Sequence, residues 1–372
     1  MGGAAALGRF ATWQGARRNA VVVPPPYPVD DASRHLHDRL AVADLHADSL
    51  LWGRDLRRRG TTGHVDLPRL REAGVALQVF AAVTQVPMGL NMQRNTPSRD
   101  LITLLAVARR WPRRTWRSRL ERALLAADRL HRTADAEHGR LLVVRTGLDV
   151  EILQARRRLD PGLVGALLAI EGAHALDGRL ENLDVLHDAG YRMIGLQHFF
   201  DNEAGGSAHG VEQGGLTDFG AELVRRMQER RMIVDVAHSS PAVVSDVLAR
   251  TTAPVVASHT GLRGTFDSPR NLSDEHARGL AATGGLLGIA MFAEAVGGNT
   301  VADTARTMRY AADLVGVEHV ALGTDFDGAV TTPTDVTGLP LLTAALREEH
   351  FDDGEIEAVM GGNVLRLLRE VL

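Results

Sequence analysis

Carboxylate and imidazole side chains close one apolar run after another along this chain. The motifs that carry them are Asp44-Leu-His46-Ala-Asp48, Ile170-Glu171-Gly172, Gln197-His198, Val236-Ala-His238-Ser239, Ala257-Ser258-His259-Thr260 and Gly323-Thr-Asp325-Phe-Asp327-Gly328. Such a side chain is expensive to bury in a core unless it has a partner. Because the motifs recur at intervals that fit strand–helix units, a shared metal site explains them together.

The first two motifs supply a possible ligand pair and a possible bridge. His46 and Asp48 are two residues apart, so on a strand they point to the same face and one ion could bind both. Alone, such a pair is weak evidence and could belong to a turn. Glu171 closes an otherwise apolar run, and its two oxygens could hold two ions. The alternative is a protonated or arginine-paired core glutamate.

His238 and His259 follow consecutive predicted strands. Neighbouring strands lie about 4.8 Å apart, so the two imidazoles could share an ion, although either one alone would more often be a structural histidine. We therefore assign one metal to His46, Asp48 and Glu171, and a second metal to Glu171, His238 and His259, with Glu171 bridging. The chain has no cysteine, and ligation by nitrogen and oxygen suits zinc. The expected cofactor is Zn²⁺, two per chain.

His198 also follows a predicted strand and could bind a metal. Five ligands already suffice for two ions, so we assign His198 to contact with the substrate or the oxyanion. Four other histidines are predicted in loops or helices and are given no role: His174, His187, His209 and His276.

Apolar runs alternate with helical patterns, which predicts a parallel sheet covered on both faces. The eight candidate strands are near 41–47, 75–83, 164–170, 191–197, 232–237, 255–259, 286–292 and 318–323. Eight strands favour an α/β fold of the (β/α)8 TIM-like barrel class, in which functional residues cluster at the carboxyl ends of the strands. The run 141–144 is set aside in this count. A doubly wound sheet would need a glycine-rich phosphate turn, and none follows the first strand.

Two segments stand apart from the barrel pattern. Residues 1–30 are predicted to form a poorly ordered leader, and residues 31–372 a single catalytic domain. Residues 96–140 form an Arg-dense helical insertion after the second strand. An anionic binding patch is one interpretation of it, but a solvated helix pair outside the barrel is favoured, because acidic residues are interleaved with the arginines.

Composition limits the partners. The net charge of −4 gives no electrostatic case for nucleic acid. No apolar stretch approaches the roughly 20 residues that a membrane-spanning helix needs, and no signal peptide is recognisable. We expect a cytoplasmic protein without a nucleic-acid or membrane partner.

Three further motifs complete an ordered series over roughly residues 41–371. They are Leu216-Thr-Asp-Phe-Gly220, Arg270-Asn271-Leu-Ser-Asp274 and Gly361-Gly-Asn-Val-Leu-Arg366. Taken in order with the motifs above, they resemble the membrane dipeptidase (renal dipeptidase-like) family. That resemblance implies a dizinc peptidase on an amidohydrolase-type barrel, often a homodimer.

The resemblance also implies roles for particular residues. It implies that the zinc ligands are His46, Asp48, Glu171, His238 and His259. It implies that His198 contacts the scissile region and that Arg270 and Asp325 handle the substrate. Animal members are disulfide-bonded and lipid-anchored, whereas this chain has no cysteine, so the word "membrane" does not transfer.

The expected reaction is hydrolysis of a small dipeptide, including those with a D-residue at the C-terminal position, by a metal-bridged hydroxide. His198 would stabilise the oxyanion, and Asp325 would relay the proton to the leaving amine, unless it is only a helix cap or loop acid. Arg270 would hold the C-terminal carboxylate, unless it only forms a surface ion pair with Asp267 or Asp274.

Two other classes of function stay open. The first is a metal-dependent amidohydrolase of the same fold that acts on another amide, a lactam or an N-acyl amino acid. The second is a non-catalytic binding relative, which the intact set of five ligands disfavours.

Overall fold

Eight parallel strands close into a barrel, and a ninth short strand pairs outside the ring. The computed structural model describes residues 15–372. The strands are β1 (Val42–Ala47), β2 (Val75–Val83), β3 (Leu141–Val143), β4 (Val164–Glu171), β5 (Tyr191–Gly195), β6 (Ile233–Asp235), β7 (Val255–Thr260), β8 (Leu286–Ile289) and β9 (Val320–Leu322). The ring runs β1, β2, β4, β5, β6, β7, β8, β9 and returns to β1, so the predicted (β/α)8 barrel is confirmed.

Strand β4 explains why β3 is not one of the eight. Strand β2 pairs along residues 165–171 of β4, which uses one edge of that strand. Strand β3 pairs with residues 164–166, and β5 pairs with residues 168–171. A strand has two edges, so β3 and β5 share the second edge of β4 in succession.

Helices separate most of the strands and cover the barrel. They are α1 (Asp31–His37), α2 (Leu67–Glu72), α3 (Leu101–Ala108), α4 (Arg119–Ala136), α5 (Gly147–Arg157), α6 (Asn182–Asp188), α7 (Asp218–Glu229), α8 (Pro241–Arg250), α9 (Asp274–Ala282), α10 (Ala293–Val296), α11 (Val301–Val315), α12 (Leu339–Glu348), α13 (Asp353–Glu357) and α14 (Asn363–Val371). Short 3₁₀ turns lie at Arg113–Trp116, Ala173–Leu176, Val317–His319 and Val336–Gly338, and a π-helical turn at Ala358–Gly362. Among the described helices, none combines the length and apolar character needed to cross a membrane.

The barrel strands are buried on both faces. Every residue of β2 is buried. Its side chains alternate between two apolar clusters, with Leu77 and Val79 in one and Phe80 and Ala82 in the other. Successive strand side chains point to opposite faces, so one face fills the barrel interior and the other packs under the helices. This is why the sequence shows continuous apolar runs and not an alternating pattern.

Helix boundaries follow from their caps. Ser240 accepts a hydrogen bond from the backbone N–H of Val243 at 3.1 Å, with Pro241 in the first turn of α8. Ser273 accepts from the N–H of His276 at 3.2 Å at the start of α9. Serine at this position satisfies N–H groups that the first turn leaves unpaired, so both helix starts lie where the sequence places them.

The Arg-dense insertion is only partly a solvated helix pair. Helix α4 contributes Ala123 and Leu130 to the main core, because its apolar stripe packs on the barrel. Arg122 is buried, and its guanidinium donates to the carboxylate of Asp100 and to the carbonyl of Thr84. The expectation of a pair wholly outside the barrel is therefore wrong for α4. It sits in the helical layer, and Arg122 anchors the preceding loop and α3 to it.

Part of the predicted leader contacts the barrel. Residues 1–14 of the leader lie outside the described residues. Farther along, the side-chain oxygen of Asn19 accepts from the N–H of Ala329 at 2.8 Å, and the N–H of Val22 donates to the carbonyl of Thr332 at 2.9 Å. The hydroxyl of Tyr27 accepts from the N–H of Asp335 at 3.0 Å. Residues 19–27 thus run over the loop that follows β9.

Burial of His37 should make the stability of the folded protein depend on pH. Its Nδ1 lies 2.8 Å from the hydroxyl of Thr343 and its Nε2 lies 3.1 Å from the carbonyl of Ala73, and burial lowers its pKa to about 4. Below about pH 6.5, the imidazole of His37 therefore binds a proton in the unfolded chain, whereas in the folded chain it stays neutral down to about pH 4. We expect His37 to remove up to about 3 kcal/mol of stability as pH falls through that window.

The His37→Gln variant tests this by urea unfolding of metal-free protein at several pH values. At pH 7 the variant should be less stable than the parent, and the gap should narrow towards pH 4. The same substitution at exposed His35, on the same helix, is the matched control. A gap that stays constant with pH would contradict the assignment.

Candidate metal centre

The predicted site residues meet at the carboxyl ends of the barrel strands, where this fold places chemistry. His46 and Asp48 lie at and just beyond the end of β1, Glu171 is the last residue of β4, and His259 lies in β7. His198, His238 and Asp325 follow β5, β6 and β9 by three residues each. All seven are buried.

One carboxylate oxygen of Glu171 lies within reach of three imidazoles. Its Oε1 is 3.0 Å from the Nε2 of His238, 3.4 Å from that of His259 and 3.8 Å from that of His46. The Nε2 atoms of His238 and His259 are themselves 3.0 Å apart. On the far side, the Nε2 of His46 lies 3.5 Å from the Oδ1 of Asp48. The structure thus brings both predicted ligand groups to Glu171.

These atoms fit divalent metal ions. Two ligands each about 2.1 Å from a tetrahedral ion are roughly 3.4 Å apart, which is the spacing observed here. Three of the atoms, the Nε2 of His46, the Oδ1 of Asp48 and the Oε2 of Glu171, are buried without a hydrogen-bond partner among the described residues. Buried polar atoms are rarely left unpaired, so this set is best explained by cations. The ligand atoms of His46, Asp48 and Glu171 all lie within 4.8 Å of one another, as do those of Glu171, His198 and His238 and those of His46, His259 and Asp325.

Three buried carboxylates make the site electrostatically unfavourable without cations. Burial raises the pKa of Glu171 well above its usual range, and the neighbouring charge of Asp48 adds to that shift. Burial likewise raises the pKa of Asp48, and that of Asp325 to about 7. Like charges in one buried site disfavour joint ionisation. Divalent cations would offset the repulsion among the carboxylates and lower their pKa values, since ligation requires the deprotonated carboxylates.

The imidazoles differ in their protonation. Burial lowers the pKa of His238 and of His259 well below the usual range, aided by the charge of Arg270, so both are neutral, as metal ligation requires. Burial also lowers the pKa of His46, but the carboxylates of Asp48 and Glu171 outweigh it and raise that pKa to about 10. Ligation of a metal ion by His46 requires the neutral imidazole.

Two of the site residues hold unusual backbone conformations. His238 has φ +63° and Asp325 has φ +60°, in the left-handed region that few residues other than glycine adopt. Such conformations concentrate at functional sites. Here they turn the chain immediately after β6 and β9, which directs both side chains over the barrel mouth.

An unpredicted pair, Asp235 and Ser258, orients two of the imidazoles. The hydroxyl of Ser258 donates to the Oδ2 of Asp235 at 2.6 Å and lies 2.9 Å from the Nδ1 of His259 and 3.3 Å from the Nδ1 of His46. Holding Nδ1 in this way leaves Nε2 facing the site, the arrangement that metal-binding histidines usually have.

Asp44 was also not predicted, although its motif was recognised. It accepts from the N–H and hydroxyl of Thr324 at 2.8 and 2.7 Å and from the amide of Gln78 at 2.9 Å. It therefore ties the end of β1 to the residue before Asp325. Asp44 and Asp235 both stand inside apolar runs, so the cost of burying a lone carboxylate was a usable signal for each.

His198 is as close to Glu171 as the assigned ligands are. Its Nε2 lies 3.2 Å from the Oε2 of Glu171, and its Nδ1 lies 3.3 Å from the carbonyl of Gln85. Burial lowers its pKa to about 3, so the ring is neutral. Its role then depends on which nitrogen carries the proton, because only an Nε2–H could donate to an oxyanion.

Arg270 is buried and does not form the surface ion pair considered as its alternative role. Its side chain is 4% exposed, and one guanidinium nitrogen donates to the carbonyl of His259. The other terminal nitrogen, NH1, has no hydrogen-bond partner among the described residues. Asp274 is instead bonded by the hydroxyl of Tyr310 at 2.7 Å. The unpaired donor of Arg270 is available to an anionic group.

Asp325 and Asp327 are close in sequence but differ in surroundings. The Oδ1 of Asp325 lies 3.9 Å from the Nε2 of His46, at the edge of the ligand cluster. Asp327 accepts from the hydroxyl of Ser49 at 2.6 Å and from the guanidinium of Arg54. Burial raises the pKa of Asp327, but the charge of Arg54 outweighs it and the pKa is lowered. Asp327 is therefore a structural ion-pair residue.

His209, to which the sequence gives no role, lies beside the site. Its ring centroid is 5.3 Å from that of His238, and its Nε2 is buried without a hydrogen-bond partner among the described residues. Its position depends on the loop after β5, where Asp201 accepts from the N–H groups of Ser207 and Val211 at 2.8 Å. Nothing periodic in that loop predicts the contact.

A cavity of about 520 Å³ opens beside the centre and is lined by Asp48 and His198. Most of its other lining residues are apolar, among them Trp52, Val83 and Phe199. A cavity of this size and character, with a few polar groups at one end, is typical of a small-molecule site.

Comparison with known proteins agrees with this arrangement. A model of the membrane dipeptidase family, peptidase family M19, matches residues 31–372. Dipeptidase aclJ of Aspergillus oryzae is 34% identical over 222 residues, or 57% of this chain. The match spans about half of that relative's length, 53%.

Two solved structures share the fold over most of their length. One is a metallopeptidase from Rhodobacter sphaeroides liganded with a phosphinate mimic of the dipeptide L-Ala-D-Ala, 26% identical, with a TM-score of 0.74 over 90% of this chain and 99% of that one. The other is a dipeptidase of family M19, 27% identical, with a TM-score of 0.72 over 89% of this chain and 98% of that one.

Proposed function

Because the chain belongs to the membrane dipeptidase family of metallopeptidases, we propose that it is a dizinc dipeptidase acting on small dipeptides. The observation that carries the proposal is the carboxylate of Glu171, with the His238–His259 pair near it on one side and the His46–Asp48 pair on the other. Two ions would share Glu171 as a ligand. Zinc held there would polarise the peptide carbonyl and lower the pKa of a water molecule to about 7.

The chain's own residues would bind and orient the substrate. The free NH1 of Arg270 would donate to the C-terminal carboxylate of the dipeptide, since a guanidinium recognises a carboxylate by paired hydrogen bonds. This would place the last peptide bond of the substrate at the metal centre, because only that bond lies one residue from the C-terminal carboxylate.

Two residues would act on protons during the reaction. Asp325 would take a proton from the attacking water at its carboxylate and pass it to the leaving amine. His198 would donate from Nε2 to the developing oxyanion, which requires its proton on Nε2 and gives up donation from Nδ1 to Gln85.

The stereochemistry of the second residue is part of the proposal. A structural relative binds a mimic of L-Ala-D-Ala, which supports including dipeptides with a D-residue at the C-terminal position among the substrates. The assignment of residues 31–372 to one catalytic domain is proposed on the same basis as the activity. The cytoplasmic location and the homodimer expected from the sequence stay predictions.

Hydrolysis of a dipeptide panel by zinc-loaded protein tests the proposal. We expect cleavage of L-Ala-L-Ala and L-Ala-D-Ala, and little cleavage of Ala-Ala amide, which lacks the carboxylate. Arg270→Lys keeps the charge but loses the planar two-pronged donor, so it should raise KM for the dipeptide more than it lowers kcat. Equal cleavage of the dipeptide and its amide would contradict the role of Arg270.

A further inference from the structure

The wall of the 520 Å³ cavity beside the metal centre is mostly apolar. Its inner end is formed by Asp48 and His198, so it is continuous with the place where the proposed chemistry occurs. The volume lies within the range of pockets that bind drug-sized molecules, and it exceeds what two small residues such as alanines need. Beyond the inner end, the lining is almost wholly apolar apart from Arg18, which is exposed.

Helix α3 of the insertion supplies much of that wall. Four of its residues follow the i, i+3, i+4, i+7 spacing of one helix face and all line the cavity: Leu101, Leu104, Leu105 and Ala108. Ile102 and Val107 of the same helix also line the cavity, and Ile102 packs with Ala106 and Trp111 in a small apolar cluster. The face of a surface helix that is not packed on a core is normally polar, yet Leu104 is 55% exposed.

Two aromatic side chains complete the pocket near the metal centre. The indole N–H of Trp52 donates to the carbonyl of Asp327 at 2.6 Å, which fixes its ring. The ring of Phe199 lies 4.6 Å from the ring of His198 and 5.0 Å from that of His238. Trp52 and Phe199, whose rings are held by these contacts, therefore connect the pocket to the metal centre.

Arg270 indicates which end of the substrate enters this pocket. It lines a separate cavity of about 100 Å³ with His238, and the lining of this cavity shares no residue with that of the larger one. If Arg270 holds the C-terminal carboxylate, the C-terminal residue lies on its side. The N-terminal residue then lies on the side of Asp48 and His198, where the apolar pocket opens.

We propose that this pocket selects dipeptides whose N-terminal residue carries a large apolar side chain, and that α3 determines this specificity. The proposal rests on the dipeptidase function proposed above. The lining offers an apolar surface to such a side chain, while a charged or polar one would lose its hydration without gaining hydrogen bonds along α3. Small N-terminal residues would leave most of the pocket unfilled.

The test compares kcat/KM for Leu-Ala, Phe-Ala and Ala-Ala with zinc-loaded protein. We expect Leu-Ala and Phe-Ala to exceed Ala-Ala by at least about tenfold, since a single added methylene in a fitted apolar pocket is already worth about tenfold. Ala108→Trp should fill the pocket and reduce the Leu-Ala to Ala-Ala ratio at least about tenfold. Leu104→Glu should reduce the same ratio.

The matched control is Leu148→Glu, which changes a leucine of similar exposure on α5, outside the pocket, and should leave the ratio unchanged. A parent enzyme that cleaves Ala-Ala as well as Leu-Ala, or an Ala108→Trp variant that lowers both equally, would overturn the specificity proposal while leaving the dipeptidase function intact. If no dipeptide is cleaved, the result would instead contradict the proposed dipeptidase function itself.

The same experiment distinguishes two other occupants of the pocket. If α3 packs against a second copy of the chain, Leu104→Glu will change the mass measured by light scattering and leave the substrate ratio unchanged, which overturns the proposal. If the pocket accepts acyl chains, N-octanoyl-alanine will be cleaved faster than Leu-Ala, which overturns the choice of a free N-terminal residue.

Discussion

Glu171→Gln is expected to lower kcat/KM for dipeptides by more than about 100-fold and to abolish binding of at least one of two zinc ions. Glu171 is the residue that both ligand pairs face, and loss of a mere supporting partner already costs about 10- to 100-fold in metal affinity or activity. Metal content of dialysed protein and dipeptide hydrolysis measure the two effects.

The same variant should change stability in opposite directions with and without metal. In metal-free protein, Glu171→Gln removes a buried carboxyl group whose pKa is raised by burial and by the charge of Asp48, so the unfolding temperature of the variant should be equal to or above that of the parent. Zinc stabilises a folded protein more when it binds more tightly, so the rise in unfolding temperature on adding zinc should be smaller for Glu171→Gln than for the parent. Exposed Glu203→Gln, in the loop after β5, is the control. A variant that keeps two zincs and full activity would contradict the bridging role.

Asp325→Asn is expected to lower kcat by about 10²- to 10⁴-fold, the usual contribution of a general acid–base residue, with little change in KM. Asparagine suits this position because it tolerates the left-handed backbone conformation, φ +60°, that Asp325 holds. The substitution therefore removes the titrating group without adding backbone strain. Zinc content should stay at the parent level if Asp325 moves protons and is not a ligand.

Asp327→Asn is the matched comparison in the same turn, with φ +63°. It weakens the ion pair with Arg54 and a buried hydrogen bond, so it should lower the unfolding temperature while kcat stays within a few-fold. If Asp325→Asn instead loses zinc, Asp325 belongs to the ligand set with His46 and His259, a grouping that its position also allows. The proton-relay role would then be wrong.

The convergence of the ligands could be predicted because it depends on strand order alone. His238 and His259 follow consecutive strands, and consecutive strands of a βα barrel are neighbours, so their proximity is encoded in the order of the motifs. Asp235 is the last residue of β6, three residues before His238, but it was missed, because in the sequence it stands inside an apolar run and does not close it. The same burial cost identifies it, provided that the test is applied to every carboxylate in a predicted strand.

The loops account for what the sequence does not predict. Helix α3 is apolar on nearly all faces, so its pattern alone indicates a buried helix and gives no sign that one face lines a cavity. His209 reaches His238 only through the fold of residues 201–213, which Asp201 organises by accepting several backbone N–H groups. Contacts of this kind depend on tertiary packing and not on local periodicity.

Anomalous diffraction at the zinc edge from crystals of the zinc-loaded protein tests the dizinc assignment most directly. We expect two peaks, one bounded by His46, Asp48 and Glu171 and the other by Glu171, His238 and His259, with both touching the carboxylate of Glu171. A single peak, or a peak that His198 binds in place of His259, would contradict the assignment of two zinc ions bridged by Glu171.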